Sequence, residues 1–253
     1  MVLYRTALIT GASSGIGAAF ARELAERGSD LVVVARRAGR LRQLARELGS
    51  EYGIAVEVLT ADLTEPSGVA RVEERAAAGV DLLINNAGMG TNGHFANLPV
   101  DGEEREVRLN VLAVLRLTAA ALPGMIARRH GGIVNVSSVA GFQALPGSAT
   151  YATSKAFVTS FTESLAGETH GTGVHVTVVA PGFTRTTMSG EGAGVPGFLL
   201  LDADRVVRAA LDAVERGSVL VVPGSQWKAI GLATRHLPRP LLRAMTRRLN
   251  GAG

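Results

Sequence analysis

Cysteine is absent from the 253 residues, which excludes disulfides, a thiolate nucleophile and Cys-ligated zinc. Lysine is scarce. Lys155 and Lys228 are the only two in the chain, so arginine carries almost all of the positive charge. Aromatic residues make up 4%, and Ala, Val, Leu and Gly dominate, which suits helices packed closely on a sheet. Despite a mean hydropathy of +0.23, no run of roughly eighteen or more apolar residues reads as a membrane span. The opening MVLYRTALITGASSGIG lacks the basic, apolar and small-residue order of a secretory leader, so a cytoplasmic enzyme is expected. The five histidines, at 94, 130, 170, 175 and 236, form no HExxH-like pair, and no metal is expected. Net charge is only +4, without the concentrated basic face that nucleic-acid binding calls for.

What is present is an alternation. Short β-branched runs near 3–10, 31–35, 54–59, 80–84, 132–137, 174–180 and 218–222 are separated by helical patterns near 15–28, 39–51, 66–78, 102–129, 150–168 and 203–216. The apolar runs do not alternate with polar residues, as expected of strands covered on both faces. The expected fold is a single α/β domain over 1–253: a doubly wound, mostly parallel sheet of about seven strands with helices on both faces. Two segments fall outside the pattern. Residues 184–201 are Gly-rich, then apolar, and read as a mobile substrate flap. Residues 227–253 pair Leu237, Leu241, Leu242, Met245 and Leu249 with arginines and read as a basic amphipathic tail, helical from Pro240. Packing on its own subunit or a partner is its expected use, with membrane-surface contact as the lesser alternative.

Directly after the first strand stands TGASSGIG, with Gly11, Gly15 and Gly17 ahead of a helix. A tight turn, a close backbone approach and a helix N-terminus aimed at a pyrophosphate all need glycine there. The spacing differs from GxGxxG, and its place at the first crossover is what favours a dinucleotide. Farther on, YATSK puts Tyr151 and Lys155 four apart on one helix face. A nearby ammonium favours the phenolate and brings a phenol toward useful acid–base chemistry. In a chain that uses arginine nearly everywhere, a lysine at this spot is informative. A surface Tyr–Lys pair would give the same spacing. Ser137 and Ser138 end a strand, where open α/β sheets bind ligands, though capping is an ordinary task for serine there. Asn110 interrupts an apolar helical run and implies a hydrogen-bonding duty.

These residues resemble the classical short-chain dehydrogenases/reductases. The likeness extends to about residue 223 and rests on TGASSGIG at 10–17, DL at 62–63, NNAG at 85–88, Asn110, SS at 137–138, YATSK at 151–155 and PGFTRT at 181–186. It implies a Rossmann fold and hydride transfer between a nicotinamide and a carbonyl or alcohol carbon. By that resemblance Tyr151 exchanges the proton on the substrate oxygen, and Ser138 holds that oxygen. Lys155 lowers the tyrosine pKa and bonds the nicotinamide ribose, and Asn110 holds a relay water. The loop residues Gly11, Ser13, Ser14, Gly15, Ile16 and Gly17 would face the phosphates. Asp62 and Leu63 would meet the adenine, and Asn86, Ala87 and Gly88 the adenosine ribose, with Asn85 structural. Pro181, Gly182, Thr184 and Thr186 would border the carboxamide and phosphates, Thr184 replacing the usual aliphatic residue.

In this fold the second strand ends at the adenosine ribose, where NAD enzymes place an acid and a 2′-phosphate demands arginine. The chain has Arg36 and Arg37 there and no Asp or Glu before Glu47. NADP(H) is therefore expected over NAD(H), with one or both arginines forking onto the phosphate. Arg40 and Arg42 suit a solvated helix start. Candidate pocket positions, among them Met89, Phe142, Leu145, Phe183, Met188 and Phe198, are mostly apolar and favour a small hydrophobic ketone, aldehyde or secondary alcohol. A 3-oxoacyl-thioester reductase of fatty-acid type and a catalytically silent NADP-binding regulator are the alternatives. A homodimer or homotetramer is implied by the resemblance.

Overall fold

The computed structural model describes residues 3–186 and 195–236. Seven strands form one all-parallel sheet: β1 (Thr6–Thr10), β2 (Asp30–Ala35), β3 (Val56–Thr60), β4 (Leu82–Asn85), β5 (Gly131–Val136), β6 (Val174–Val179) and β7 (Leu220–Val221). Their order is β3-β2-β1-β4-β5-β6-β7. The helices are α1 (Gly15–Glu26), α2 (Ala38–Tyr52), α3 (Pro66–Ala77), α4 (Val100–Val107), α5 (Ala113–Arg128), α6 (Ala149–Glu168), α7 (Ala203–Glu215) and α8 (Ser225–His236).

Strand side chains alternate between faces, and the two faces of this sheet feed two cores. Ile9, Val33, Ile84 and Val134 join Phe20, Leu41 and Leu211 on the side of α1, α2 and α7. Leu8, Val32, Leu83 and Ile133 join Val72, Leu117 and Met125 on the side of α3, α5 and α6. Both faces are apolar because both are covered, which is why the strand sequences lack polar alternation.

The strand edges shift by a few residues from the sequence expectation. β1 begins at Thr6 rather than residue 3, since the Arg5 and Thr6 amides donate to Asp81 Oδ2 at 2.9 and 3.2 Å. The expected helix 102–129 is a more substantial difference. A π-helical turn, Arg108–Leu112, joins α4 to α5 and holds Asn110 at its centre. Such turns are rare and gather at functional sites. The helical stretch Val100–Arg128 is long and apolar enough to cross a membrane by length and composition. Here it covers the sheet and buries Glu103, Glu106, Asn110 and Thr118.

The strand order reverses direction between β1 and β4. The carboxyl ends of those strands therefore frame the crevice in which open α/β sheets bind ligands. Of the flap 184–201, residues 187–194, including Met188, lie outside the described residues. The remainder is tied down by a bridge between Thr184 and Leu201 and a 3-10 turn, Gly197–Leu199. Of the tail, α8 is described to His236, and the stretch expected to be helical from Pro240 lies outside the described residues.

Candidate active site

At the end of β1 the chain turns through Gly11 (φ +70°) and Gly15 (φ +56°), backbone values that side chains rarely tolerate. A Cβ on Gly17 would run into the Gly11 carbonyl and Asn86, so only glycine lets α1 start this close to β1. Thr186 faces the loop, with its methyl 3.1 Å from where a Gly15 Cβ would stand. Thr10 organises the far wall. Its hydroxyl accepts from the Asn86 and Ala87 amides at 2.9 and 3.0 Å, and Asn86 Nδ2 donates to the Thr10 carbonyl at 2.8 Å.

Arg36 and Arg37, equivalent in the sequence, part in the structure. Arg37 bends over the glycine loop and donates to Ser13 Oγ (3.0 Å, from Nη2) and Ser14 Oγ (2.6 Å). Arg36 is 65% exposed and reaches toward Asp62 at 3.7 Å. Burial pushes the Asp62 carboxyl up, but two hydrogen bonds from Thr64 and the charges of Arg36 and Arg105 outweigh it, leaving the group below its ordinary value. Leu63 beside it is buried.

Tyr151 and Lys155 leave α6 on one face, with the ammonium 5.7 Å from the ring centroid. Lys155 is buried and donates to the Val136 carbonyl at 2.9 Å. Burial draws its pKa down from 10.5 to about 8, with Glu106 opposing. Burial pushes the Tyr151 phenol above its ordinary value, the Ser138 hydroxyl bond opposes that, and Glu106 adds to it.

The two serines also separate. Ser137 Oγ is buried, donates to the Lys155 carbonyl at 2.8 Å and pairs with Thr159. Ser138 Oγ accepts from the Ala140 amide at 3.2 Å and lies 3.5 Å from the Pro181 carbonyl, leaving it turned toward Tyr151. Asn110 braces the 89–91 segment: Oδ1 accepts from the Met89 amide at 3.0 Å, and Nδ2 donates to the Met89 carbonyl and Ser154 Oγ at 2.8 and 3.0 Å. Its side-chain amide is thereby spent on protein partners, a bracing duty beside the water-holding one that the resemblance implies. Gly88 keeps this corner open, since a Cβ there would lie 3.2 Å from Asn110 Oδ1 and 3.4 Å from Lys155 Nζ.

Asn85 takes no part in the crevice. It donates to Asn135 and Thr118 inside the sheet layer. Thr184 is buried and donates to the Gly182 carbonyl at 3.1 Å. Gly182 lies against the Trp227 indole, whose N–H donates to the Leu199 carbonyl at 2.9 Å. Phe183 meets the same indole edge-on and remains half exposed.

Three contributors escaped the sequence reading. Thr10 ends a strand just before the first glycine, a place where a hydroxyl can cap the neighbouring strand. Ser154 sits inside YATSK, whose spacing marks only Tyr151 and Lys155, and its hydroxyl accepts from Asn110. Glu106 lies four residues before Asn110 in the charged segment VDGEEREV, where nothing in the sequence marks it as the buried one.

Residues 5–193 match the family model described as short chain dehydrogenase. The chain is 36% identical over 97% of its length, and 98% of the relative's, to an uncharacterized oxidoreductase of Myxococcus xanthus. Its fold is similar to a short-chain dehydrogenase from Sphingobium yanoikuyae solved in complex with NADPH, at 42% identity and TM-score 0.82, covering 90% and 92% of the two chains. A bulky-bulky ketone specific alcohol dehydrogenase from Comamonas testosteroni matches at 37% identity and TM-score 0.81, covering 90% and 91%. With its sheet order, glycine loop and Ser–Tyr–Lys corner, the chain belongs to the short-chain dehydrogenase/reductase family, oxidoreductases that act on CH–OH and C=O groups.

Proposed function

We propose that this chain is an NADP(H)-dependent reductase of bulky, hydrophobic ketones, running in reverse on the corresponding secondary alcohols. The observation that carries the reading is the buried corner where Tyr151, Ser138 and Lys155 meet beside Gly88 and Gly90. There, a proton donor, an oxygen-binding hydroxyl and a cation converge where side chains are missing.

The residues fit the cofactor. The glycine turn brings the backbone of Gly11 and Gly17 too close to Asn86 and Ala87 for any Cβ, and this bare backbone at the start of α1, with Thr186 against it, would hold the pyrophosphate. Arg37, already on Ser13 and Ser14, would exchange those bonds for the 2′-phosphate, while Arg36 and Asp62 flank the adenine. Asn86, Ala87 and Gly88 would line the adenosine ribose, and Pro181, Gly182 and Thr184 the carboxamide. When bound, the nicotinamide supplies or accepts the hydride. Tyr151 gives the proton to the carbonyl oxygen, or takes it from the alcohol, and Ser138 donates to the same oxygen. The Lys155 ammonium, still mostly protonated at neutral pH with a pKa of about 8, would bond the nicotinamide ribose and would return a proton to Tyr151. Asn110 fixes the Met89 segment that closes this corner.

The apolar Phe183 and Phe198, both exposed, favour an aryl or alkyl ketone over a charged substrate, as does the bulky-ketone relative. The outward-facing Val107, Leu112 and Leu115 on the long helical stretch suit assembly as a homo-oligomer. The direct test is consumption of NADPH and of NADH against aryl ketones, dialkyl ketones, diketones and 3-oxoacyl thioesters. NADPH with a bulky ketone is the expected pair. A clear preference for NADH would overturn the cofactor, and a preference for thioesters the substrate.

A further inference from the structure

Two glutamates occupy the side of α4 that an amphipathic helix reserves for apolar residues. Glu103 and Glu106, one turn apart, are 6% and 0% exposed. Burying a carboxylate costs several kcal/mol unless its oxygens are bonded. Each of these is bonded through one oxygen only. Glu106 Oε2 accepts from the Thr91 amide and hydroxyl at 2.9 and 2.8 Å, and Glu103 Oε2 accepts from the Thr150 hydroxyl. The Oε1 atoms of both are buried without a hydrogen-bond partner. Glutamine or leucine would fill the space at lower cost, so the carboxylates call for an explanation beyond packing.

What they hold supplies one. Thr150 immediately precedes Tyr151 at the start of α6. Thr91 follows Gly90, whose missing side chain lets the Tyr151 ring come within 3.1 Å of where a Cβ would stand. One carboxylate therefore holds the residue that precedes Tyr151 on α6, and the other holds the residue after Gly90, which lies against the tyrosine ring. We propose that Glu103 and Glu106 are a pair of positioning residues, holding the Tyr151 phenol against Ser138 through Thr150 and Thr91. This rests on the reading of Tyr151 as the proton carrier.

The pair also acts by charge. Glu106 favours the protonated state of both Tyr151 and Lys155, and Glu103 in turn works against ionisation of Glu106. The elements packed on α4 bring few other charges to this point. Arg108 from the π-helical turn is drawn outward to Glu104 at 2.6 Å, α6 presents Tyr151 and Lys155 at this end, and His94 beyond Thr91 is exposed.

Glu106→Gln, Glu103→Gln and Thr150→Val test the proposal, assayed with NADPH and the fastest ketone of the panel. In each, kcat should fall about 10- to 100-fold, while the ketone KM and the NADPH affinity read by fluorescence stay within about twofold. In Glu106→Gln the limb of the pH–rate profile governed by Tyr151 should move to lower pH, because a negative neighbour is gone. In Thr150→Val it should not move. Variants that lose only thermal stability, with kcat and pH profile unchanged, would show the glutamates to be structural filler and overturn the proposal. Tyr151→Phe is measured alongside. If it keeps turnover, the reading of Tyr151 falls, and this proposal with it; if it is inactive while the glutamine variants match the parent, this proposal alone falls. Should Glu106→Gln not fold, Glu103→Gln and Thr150→Val carry the test.

Discussion

The crevice has two ends built on opposite principles. At the end proposed for the nucleotide the groups on offer are glycine backbone and arginines on the surface, with Arg36 65% exposed. At the reaction end they are polar side chains taken out of water: Lys155, Asn110 and Glu106 are 5%, 1% and 0% exposed. Exposed charges act through a high dielectric and rearrange cheaply, whereas buried ones are strong, rigid and costly when unpaired. Substitutions at the first end should therefore leave the fold undisturbed. The second can hold a proton donor in one place, and its mutations should register in stability as well as in rate.

Tyr151→Phe probes that contrast most strongly. It removes one hydroxyl from the buried end and nothing from the cradle. Turnover should fall by about 10²- to 10⁴-fold, the share of general acid–base catalysis, with NADPH affinity unchanged by fluorescence titration. A variant that lost NADPH binding in parallel would show the two ends to be one cooperative unit.

Next comes the polar ladder behind the site. Asn135 accepts from Asn85 and donates to Thr162 at 2.9 Å each, inside the sheet layer. Asn135→Ala leaves those partners short and opens a cavity, so a loss of about 2–4 kcal/mol is expected. By calorimetry the midpoint should drop by roughly 5–15 °C at this chain length. An equal loss from an exposed change such as Arg40→Ala would erase the distinction between the ends.

A third probe uses pH. Lys155 has a folded-state pKa near 8 against an ordinary 10.5, so the unfolded chain binds more protons between those values. Stability from this group therefore rises as pH climbs from about 8 toward 10.5, by roughly 2–3 kcal/mol. Below pH 8 the group contributes a constant penalty. Lys155→Met removes it, so the melting temperature of the parent should gain on that variant between pH 8 and 10. A constant gap would show that the ammonium is not held at a cost.

The same contrast explains what was legible in the sequence. The nucleotide end was readable because it is local: a strand, TGASSGIG and a helix are contiguous, and ARR follows one crossover later. Tyr151 and Lys155 share one helix and were equally visible. The bracing of the reaction end was not. Asn110 meets Met89, Thr91 meets Glu106 and Thr150 meets Glu103 across 21, 15 and 47 residues, and no periodicity within one segment encodes such pairings. The π-helical turn at Asn110 is likewise set by tertiary contacts on either side of it. The burial that raises the Tyr151 pKa is hidden from the sequence for the same reason. The Tyr–Lys spacing announces a charge interaction, but the depth of burial at Tyr151 belongs to the whole fold.

The smallest effect, and the finest test of the comparison, is at Arg37. Its guanidinium sits on the Ser13 and Ser14 hydroxyls, while Arg36 inclines toward Asp62. If the exposed end is modular, only the first should matter for a 2′-phosphate. Arg37→Ala removes a charge-assisted fork worth about 1.5–3 kcal/mol, so the NADPH KM should rise roughly 10- to 100-fold. The NADH KM, the melting temperature and kcat at saturating NADPH should hold. Arg36→Ala should weaken both cofactors by a similar, smaller factor, because its place is beside the base. The reverse pattern, with Arg36 discriminating and Arg37 neutral, would mean that the arginines exchange places when the phosphate arrives. The fork on the serines would then be a resting position, and the exposed end less preformed than its hydrogen bonds suggest.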